Sequence, residues 1–574
     1  MRIERGKGAL GVRLVANLAA VACLGLLVTC TPGAQYDLVI RNGTIYDGGG
    51  GEPFVGDLAI DGDTIVARGD LGGARGRAEI DAAGLAVAPG FVNMMSWAND
   101  SLIEDGLSQS DVRQGVTLEV MGEGFSYGPL NEAMKLEMLE RQGDIRYDIE
   151  WTTLGEYLEY LERRGVSTNV ASFVGAETVR IHEIGHEDRP PTPAELARMR
   201  NLVRRAMEEG ALGVASALIY APGAYADTDE MVALAEVSAE YGGIYISHMR
   251  SEGDRLLEAL DELLEIARRA GVRAEIYHLK AAGHSNWGKL DELINRVEAA
   301  RAGGLQITAD MYTYTAGATG LDAAMPPWVQ EGGHDAWVER LRDLEIRERV
   351  LAEMTRPSGD WENLFLGAGA EGMILVDFRS EELRPLTGMR LSEVAEMRGT
   401  SPAETAIDLV IEDDSRVGTI YFLMSEENVR RQIALPWVSF CSDAASLAPQ
   451  GVFLNSNPHP RAYGSFARLL GRYVREEGVI TLREAIRRLT SLPAENLGLD
   501  RRGRLAEGFF ADVVVFDPEA VVDHATYEEP HRYATGIVHL FVNGEQVLRD
   551  GEHTGATPGR FVHGPGWSGG REDR

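Results

Sequence analysis

Ile244-Tyr-Ile-Ser-His248 and Ala274-Glu-Ile-Tyr-His278 are two short apolar runs, each ending in a histidine. Between them, residues 255–270 carry Leu256, Leu260, Leu263, Leu264 and Ala267 at helical spacing, and Gly271 follows. That spacing predicts an amphipathic helix stopped by a glycine cap. Strand, helix and strand within about thirty-five residues is the repeating unit of a parallel sheet. Both histidines then fall at the carboxyl ends of strands, the edge where such sheets gather their chemistry.

The same alternation extends in both directions. Strand-like runs are expected at 85–92, 116–122, 168–174, 212–216, 243–248, 274–278, 306–310 and 437–442, with helical segments between them. Eight such units point to a closed (β/α)8 barrel or a doubly wound sheet. The 126 residues from Met311 to Pro436 are too many for one connection, so an insertion or lid over the barrel mouth is expected at 311–436. Outside the barrel, 89–494, the texture changes. Residues 34–88 and 495–560 alternate short β runs with Asn42-Gly43, Asp61-Gly62 and Asn543-Gly544 turns, which predicts one small β-sandwich domain built from both termini. Residues 561–574, rich in Gly and Arg, read as a disordered tail.

Composition narrows the function classes. The chain has 574 residues, 89 acidic against 56 basic, for a net charge of −33. A nucleic-acid partner is therefore not expected. Arg2, Arg5, Lys7 and Arg13 precede an uncharged apolar run from Leu14 to Val28, then Thr29-Cys30. Residues 1–30 thus read as a signal peptide, with Leu27-Val28-Thr29-Cys30 resembling a lipoprotein box. The expectation is an exported protein, periplasmic or held at the membrane by a lipid on Cys30. Plain export and an uncleaved anchor are the alternatives, and Ala22-Cys23 is a competing cleavage site.

Four predicted strand ends carry groups able to do chemistry: Glu123, His248, His278 and Asp443. Two imidazoles and a carboxylate suit one Zn2+ per chain and leave a coordination position open, while a further carboxylate can take a proton from water. Either histidine alone could equally be a hydrogen-bonded core residue. Arg250 and Lys280 each follow a histidine by two positions and suggest an anionic small-molecule substrate, the alternative being salt bridges to surface acids. Tyr312, in Asp310-Met-Tyr-Thr-Tyr314, offers a phenol at the mouth. His459 and Arg461 sit in the stiff segment Pro458-His-Pro-Arg461, and Cys441 reads as a buried small hydrophobe.

These segments, in order, resemble the amidohydrolase superfamily and most closely its N-acyl-D-amino-acid deacylases. The matching stretches include Ala88-Pro-Gly-Phe91, Gln114-Gly-Val-Thr117, Ile246-Ser-His-Met-Arg250, His278-Leu-Lys280, Ser442-Asp443, His459-Pro-Arg-Ala-Tyr-Gly464 and Phe541-Val-Asn-Gly544. The resemblance implies a metal-binding (β/α)8 barrel beside a small β domain. It implies His248 and His278 as zinc ligands and Asp443 as the residue that activates water. Lys280, Arg461, Arg250 and Tyr312 would contact the substrate carboxylate. Two departures stand out. Family members carry His-x-His after the Pro-Gly-Phe strand, where this chain has Met95 and Trp97. They also carry a metal-binding Cys where this chain has Glu123, in Met121-Gly-Glu-Gly124. One half of a two-metal site is thus missing, and a Glu/His/His site for one metal remains. The implied reaction is hydrolysis of an N-acyl amide; a cyclic-amide or dipeptide hydrolase and a non-catalytic ligand-binding protein are the alternatives.

Overall fold

Seven parallel strands form most of a barrel: Phe91–Asn93, Val116–Met121, Asn169–Ser172 continued by Val174–Gly175, Gly213–Ala217, Ile244–His248, Arg273–Ile276 and Ile307–Ala309. The structure, a computed structural model, describes residues 34–357 and 359–569, so the expected signal segment and Cys30 lie outside the described residues. The eighth wall is the segment 437–444. It meets its neighbours through isolated parallel bridges, Ala309 to Val438 and Ser96 to Ala444, rather than through a continuous ladder. Backbone bonds from Ser439 N to Ala309 O (2.8 Å) and from Asp443 N to Met95 O (3.0 Å) close the ring.

Alternation along each strand divides the side chains between two cores. Ile244 and Ile246 join Val92, Leu118, Val120, Phe173 and Tyr277 in a cluster that includes Cys441, while Tyr245 faces the helices. The helix Leu256–Ala270 buries Leu256, Leu260, Leu263, Leu264 and Ala267, and Gly271 caps it in the left-handed region.

The first expected strand is two strands. Ala86–Pro89 belongs to the small domain, pairing with Val513–Phe516, and only Phe91–Asn93 enters the barrel. Gly90, whose N–H reaches Asp512 O at 2.9 Å, is the crossing point. The small domain joins both termini in one hydrogen-bonded sheet of nine strands, with Tyr36–Ile45 linked to Phe54–Asp61, Gly76–Asp81 and Ala86–Pro89. Val513, Val515 and Phe541 pack inside this domain with Ile40, Ile60 and Val87. The alternate residues Val514, Phe516 and Leu540 pack on the barrel, so the two units share a buried boundary.

Two further details differ from expectation. Residues 561–569 are packed, not free. Phe561 bridges to Val170, Gly564 N donates to Gly210 O at 2.8 Å, and His563 stacks on Trp567 with ring centres 3.8 Å apart. A Gly- and Arg-rich composition concealed these aromatic anchors. The insertion is a subdomain with its own core. Ala316–Gly320, Gly418–Phe422 and Met373–Asp377 form an antiparallel sheet, backed by Trp337, Leu341, Leu391 and Leu409. One edge of that sheet, Gly317 to Gly320, lines the cavity above the barrel strands.

Candidate metal centre and substrate cavity

The cavity over the strand ends has a volume of about 980 Å3 and contains Glu123, His248, His278, Lys280, Tyr312, Asp443 and Arg461 in its walls. Glu123 is presented by a turn that only glycines can flank. Gly122 (φ +105°) and Gly124 (φ +64°) adopt left-handed backbone, and a Cβ on Gly122 would meet Phe173 O at 2.4 Å. The carboxylate so placed accepts from two rings through one oxygen: His248 Nδ1 lies 3.0 Å and His278 Nε2 2.9 Å from Glu123 Oε1. Although burial pushes Glu123 up, these two imidazoles hold its pKa down at about 2. Among the described residues, this is the triad whose donor atoms approach closely enough, within 4.8 Å of one another, to hold a metal ion. One carboxylate and two imidazoles, all buried, fit a hydrolytic zinc site with room for a fourth ligand.

A residue not foreseen from the sequence backs the triad. Glu252 stands 3.0 Å from His278 Nδ1 through Oε1 and 3.5 Å from His248 Nε2 through Oε2, on the sides of the rings turned away from Glu123. It also accepts from Lys280 Nζ at 2.7 Å. Despite its burial, Lys280 and the two histidines keep Glu252 well below the usual carboxylate range. Burial and Lys280 oppose protonation of His278, but Glu252 and Glu123 outweigh them and raise it to about 10. The insertion contributes too: Glu362 accepts from the backbone N–H groups of Glu252 and Gly253. Carboxylates that orient metal-bound imidazoles tune affinity by 10- to 100-fold. Glu252→Ala is therefore expected to weaken zinc binding by about that factor, as measured by chelator competition. Unchanged affinity would show that the rings are held without it.

Asp443 and His278 both sit in left-handed backbone (φ +50° and +34°), a strained arrangement for non-glycine residues. His278 N–H is held by Asp310 Oδ1 at 2.8 Å, and Ser442 N–H by Asn93 Oδ1 at 2.9 Å. Burial raises the pKa of Asp443 although Arg461 and His278 pull the other way. Arg461 Nη1 approaches Asp443 Oδ2 to 2.6 Å, yet its Nε and Nη1 hydrogens have no hydrogen-bond partner aligned with them. The guanidinium lies over the Tyr312 ring, 4.6 Å from its centre, and Lys280 Nζ lies 5.6 Å from the same ring. His459 accepts from Arg461 N at Nδ1 (2.9 Å) and faces Ala316 O through Nε2 (2.9 Å), so it is a neutral strut for this arginine.

Arg250 is a correction. Its guanidinium makes two 2.9 Å bonds to Glu262 and others to Ala224 O and Ala226 O, away from the cavity. Spacing from His248 fixed its place in the chain but not the direction of the loop, and the salt-bridge alternative prevails. Met95 is buried in the apolar cluster that fills the barrel, whereas Trp97 is 40 % exposed and lines the cavity.

The amidohydrolase family model matches residues 78–548. The chain belongs to the amidohydrolase family. It is 33 % identical over 531 residues to a D-aminoacylase from Alcaligenes xylosoxydans xylosoxydans, covering 92 % of this chain and 97 % of that one. The N-acyl-D-glutamate deacylase of Bordetella bronchiseptica, solved with zinc and a phosphonate mimic of the tetrahedral intermediate, superposes with a TM-score of 0.76. Its identity is 30 %, covering 92 % of this chain and 99 % of that one. A D-aminoacylase structure described as having a binuclear metal centre, with one-metal activation and second-metal attenuation, also gives 0.76 at 31 % identity, covering 92 % and 100 %. The fold is therefore that of the metal-binding barrel hydrolases with a separate β-rich domain, and this family member is a hydrolase of amide carbon–nitrogen bonds.

Proposed function

We propose that the protein is a mononuclear zinc deacylase that hydrolyses N-acyl-D-amino acids. The observation that carries this reading is the joining of the Glu123/His248/His278 triad to a buried Asp443–Arg461 pair in one cavity. The D configuration and the amino-acid product follow from the likeness to D-aminoacylase and N-acyl-D-glutamate deacylase. A single metal is favoured because Met95 and Trp97 supply no ligands where a second ion would need them.

Each residue has a definable task. Glu123, His248 and His278 would hold the ion, which when bound supplies Lewis acidity toward the amide carbonyl and the attacking water. Arg461, whose Nε and Nη1 have no aligned hydrogen-bond partner, is the buried guanidinium placed to donate charge-assisted hydrogen bonds to the substrate α-carboxylate. Tyr312 braces that guanidinium from beneath, and Lys280 adds a second positive charge 5.6 Å from the same ring. With Oδ2 occupied by Arg461, Asp443 takes the water proton at Oδ1 and delivers it to the leaving nitrogen. Its raised pKa favours the brief protonated state that this transfer requires. The basic leader and the apolar run ending at Cys30 support export and lipid anchoring as part of the same proposal.

Metal content and a substrate panel test the reading together. Protein loaded with zinc is expected to bind one ion per chain and to release free amino acid from N-acetyl-D- but not N-acetyl-L-substrates. One bound ion without turnover of any acyl amino acid would instead support a ligand-binding role. Hydrolysis confined to cyclic amides or dipeptides would overturn the deacylase assignment.

A further inference from the structure

The insertion contributes a cation that the chemistry above does not use. Arg416, just before the strand Gly418–Phe422, is one of the residues lining the cavity, and its side chain is 55 % exposed. Its Nε pairs with Asp322 Oδ1 at 2.9 Å and its Nη2 donates to Thr319 Oγ1 at 3.2 Å. Thr319 and Asp322 both lie along the Nε–Nη2 edge, and the Nη1–Nη2 edge carries the hydrogens they do not engage. Asp322 and Thr319 grip one edge, so the planar group is oriented rather than free to swing.

Position gives this edge a meaning. Tyr220 touches both Arg416 and the metal triad, its ring centre 5.3 Å from the guanidinium carbon and 5.3 Å from the His248 ring. Lys280 and Arg461 approach instead from the side of His278 and Asp443. The cavity thus holds cations on two sides of the triad, each paired with an acid: Lys280 with Glu252, Arg461 with Asp443 and Arg416 with Asp322. Arg416 is at most about 11 Å from the His248 ring, roughly three residue lengths, so one small substrate can span the gap.

We infer that Arg416 is a specificity-determining residue that receives a second carboxylate, making the preferred substrates dianionic N-acyl amino acids. This inference rests on the deacylase reading and names its substrate class. The second carboxylate belongs either to the amino-acid side chain or to the far end of the acyl group. A planar guanidinium with one free edge matches a carboxylate in both cases.

The test uses the full-length, zinc-loaded protein. One arm compares N-acetyl-D-glutamate and N-acetyl-D-aspartate with N-acetyl-D-leucine; the other compares N-succinyl-D-leucine with N-butyryl-D-leucine. In at least one arm the dianionic substrate is expected to have the higher kcat/KM. Arg416→Met is expected to cut that preference by about 10- to 100-fold, mainly through KM, while Arg416→Lys keeps part of it. The double variant Arg416→Met/Asp322→Asn removes the ion pair as a unit and guards against a folding defect from the orphaned aspartate. No preference in either arm, or an equal loss on both members of each pair, overturns the assignment. Calorimetry with glutarate against butyrate gives a readout independent of turnover. Tighter glutarate binding that disappears in Arg416→Met supports the second site even if every acyl amino acid proves inert, in which case the deacylase reading alone has failed. Equal affinity for the two acids overturns the second site.

Discussion

Asp443→Asn is expected to lower kcat by about 10²- to 10⁴-fold while the zinc content stays at one per chain. The side chains have the same shape, so Ser442 and the backbone bond from residue 443 to Met95 O are undisturbed. What is lost is the ability to take a proton at Oδ1. Arg461 makes the prediction more specific. In the resting protein its guanidinium lies 2.6 Å from Asp443, which competes with an incoming carboxylate for the same cation. The neutral amide competes less, so KM should stay level or fall as kcat collapses. A KM that rises with little change in kcat would mark Asp443 as a scaffold for Arg461 and not as the proton carrier. Steady-state kinetics beside metal analysis on one preparation separates these outcomes.

How much of this site was legible in the sequence depended on what positions each residue. His248, His278 and Glu123 lie at or just past the ends of strands whose apolar runs are plain, so period and length locate them. Asp443 was legible for the same reason, although its segment closes the barrel through isolated bridges instead of a full strand. Arg250 was misplaced because it lies beyond the strand, where spacing no longer fixes direction and Glu262 is the nearer partner. Glu252 sits in the same loop, four residues after His248, and only its fold back across both rings makes it part of the metal centre. Arg416 depends on the register of Gly418–Phe422 against Ala316–Gly320, a pairing across about a hundred residues that local pattern does not contain. The boundary at Gly90 shows the converse limit, where one apolar run serves two sheets.

Glu123→Ala is expected to abolish stoichiometric zinc binding and, with it, hydrolysis. Structural zinc sites gain roughly 10–16 kcal/mol, about 2.5–5 kcal/mol for each of three or four ligands, so losing one ligand weakens binding by on the order of a hundredfold or more. Glu123 is also the sole anion among the three donors, and its carboxylate, ionised down to about pH 2, draws both imidazoles toward a common point. Without it, His248 and His278 keep Glu252 on their far sides but lose the group that aligns their metal-facing nitrogens. Glu123→Cys is the informative companion. A thiolate reaches zinc at about 2.3 Å, and the left-handed glycines that shape the turn, Gly122 and Gly124, are unchanged by the substitution. Zinc binding is therefore expected to return in the Cys variant, in agreement with the cysteine that related deacylases are expected to carry at this place. Zinc retained at full affinity in Glu123→Ala would remove Glu123 from the centre. A metal-free Cys variant that folds normally would mean that the turn, and not the donor, differs from those relatives. Equilibrium dialysis on both variants, with near-ultraviolet circular dichroism as the check on folding, decides among these results.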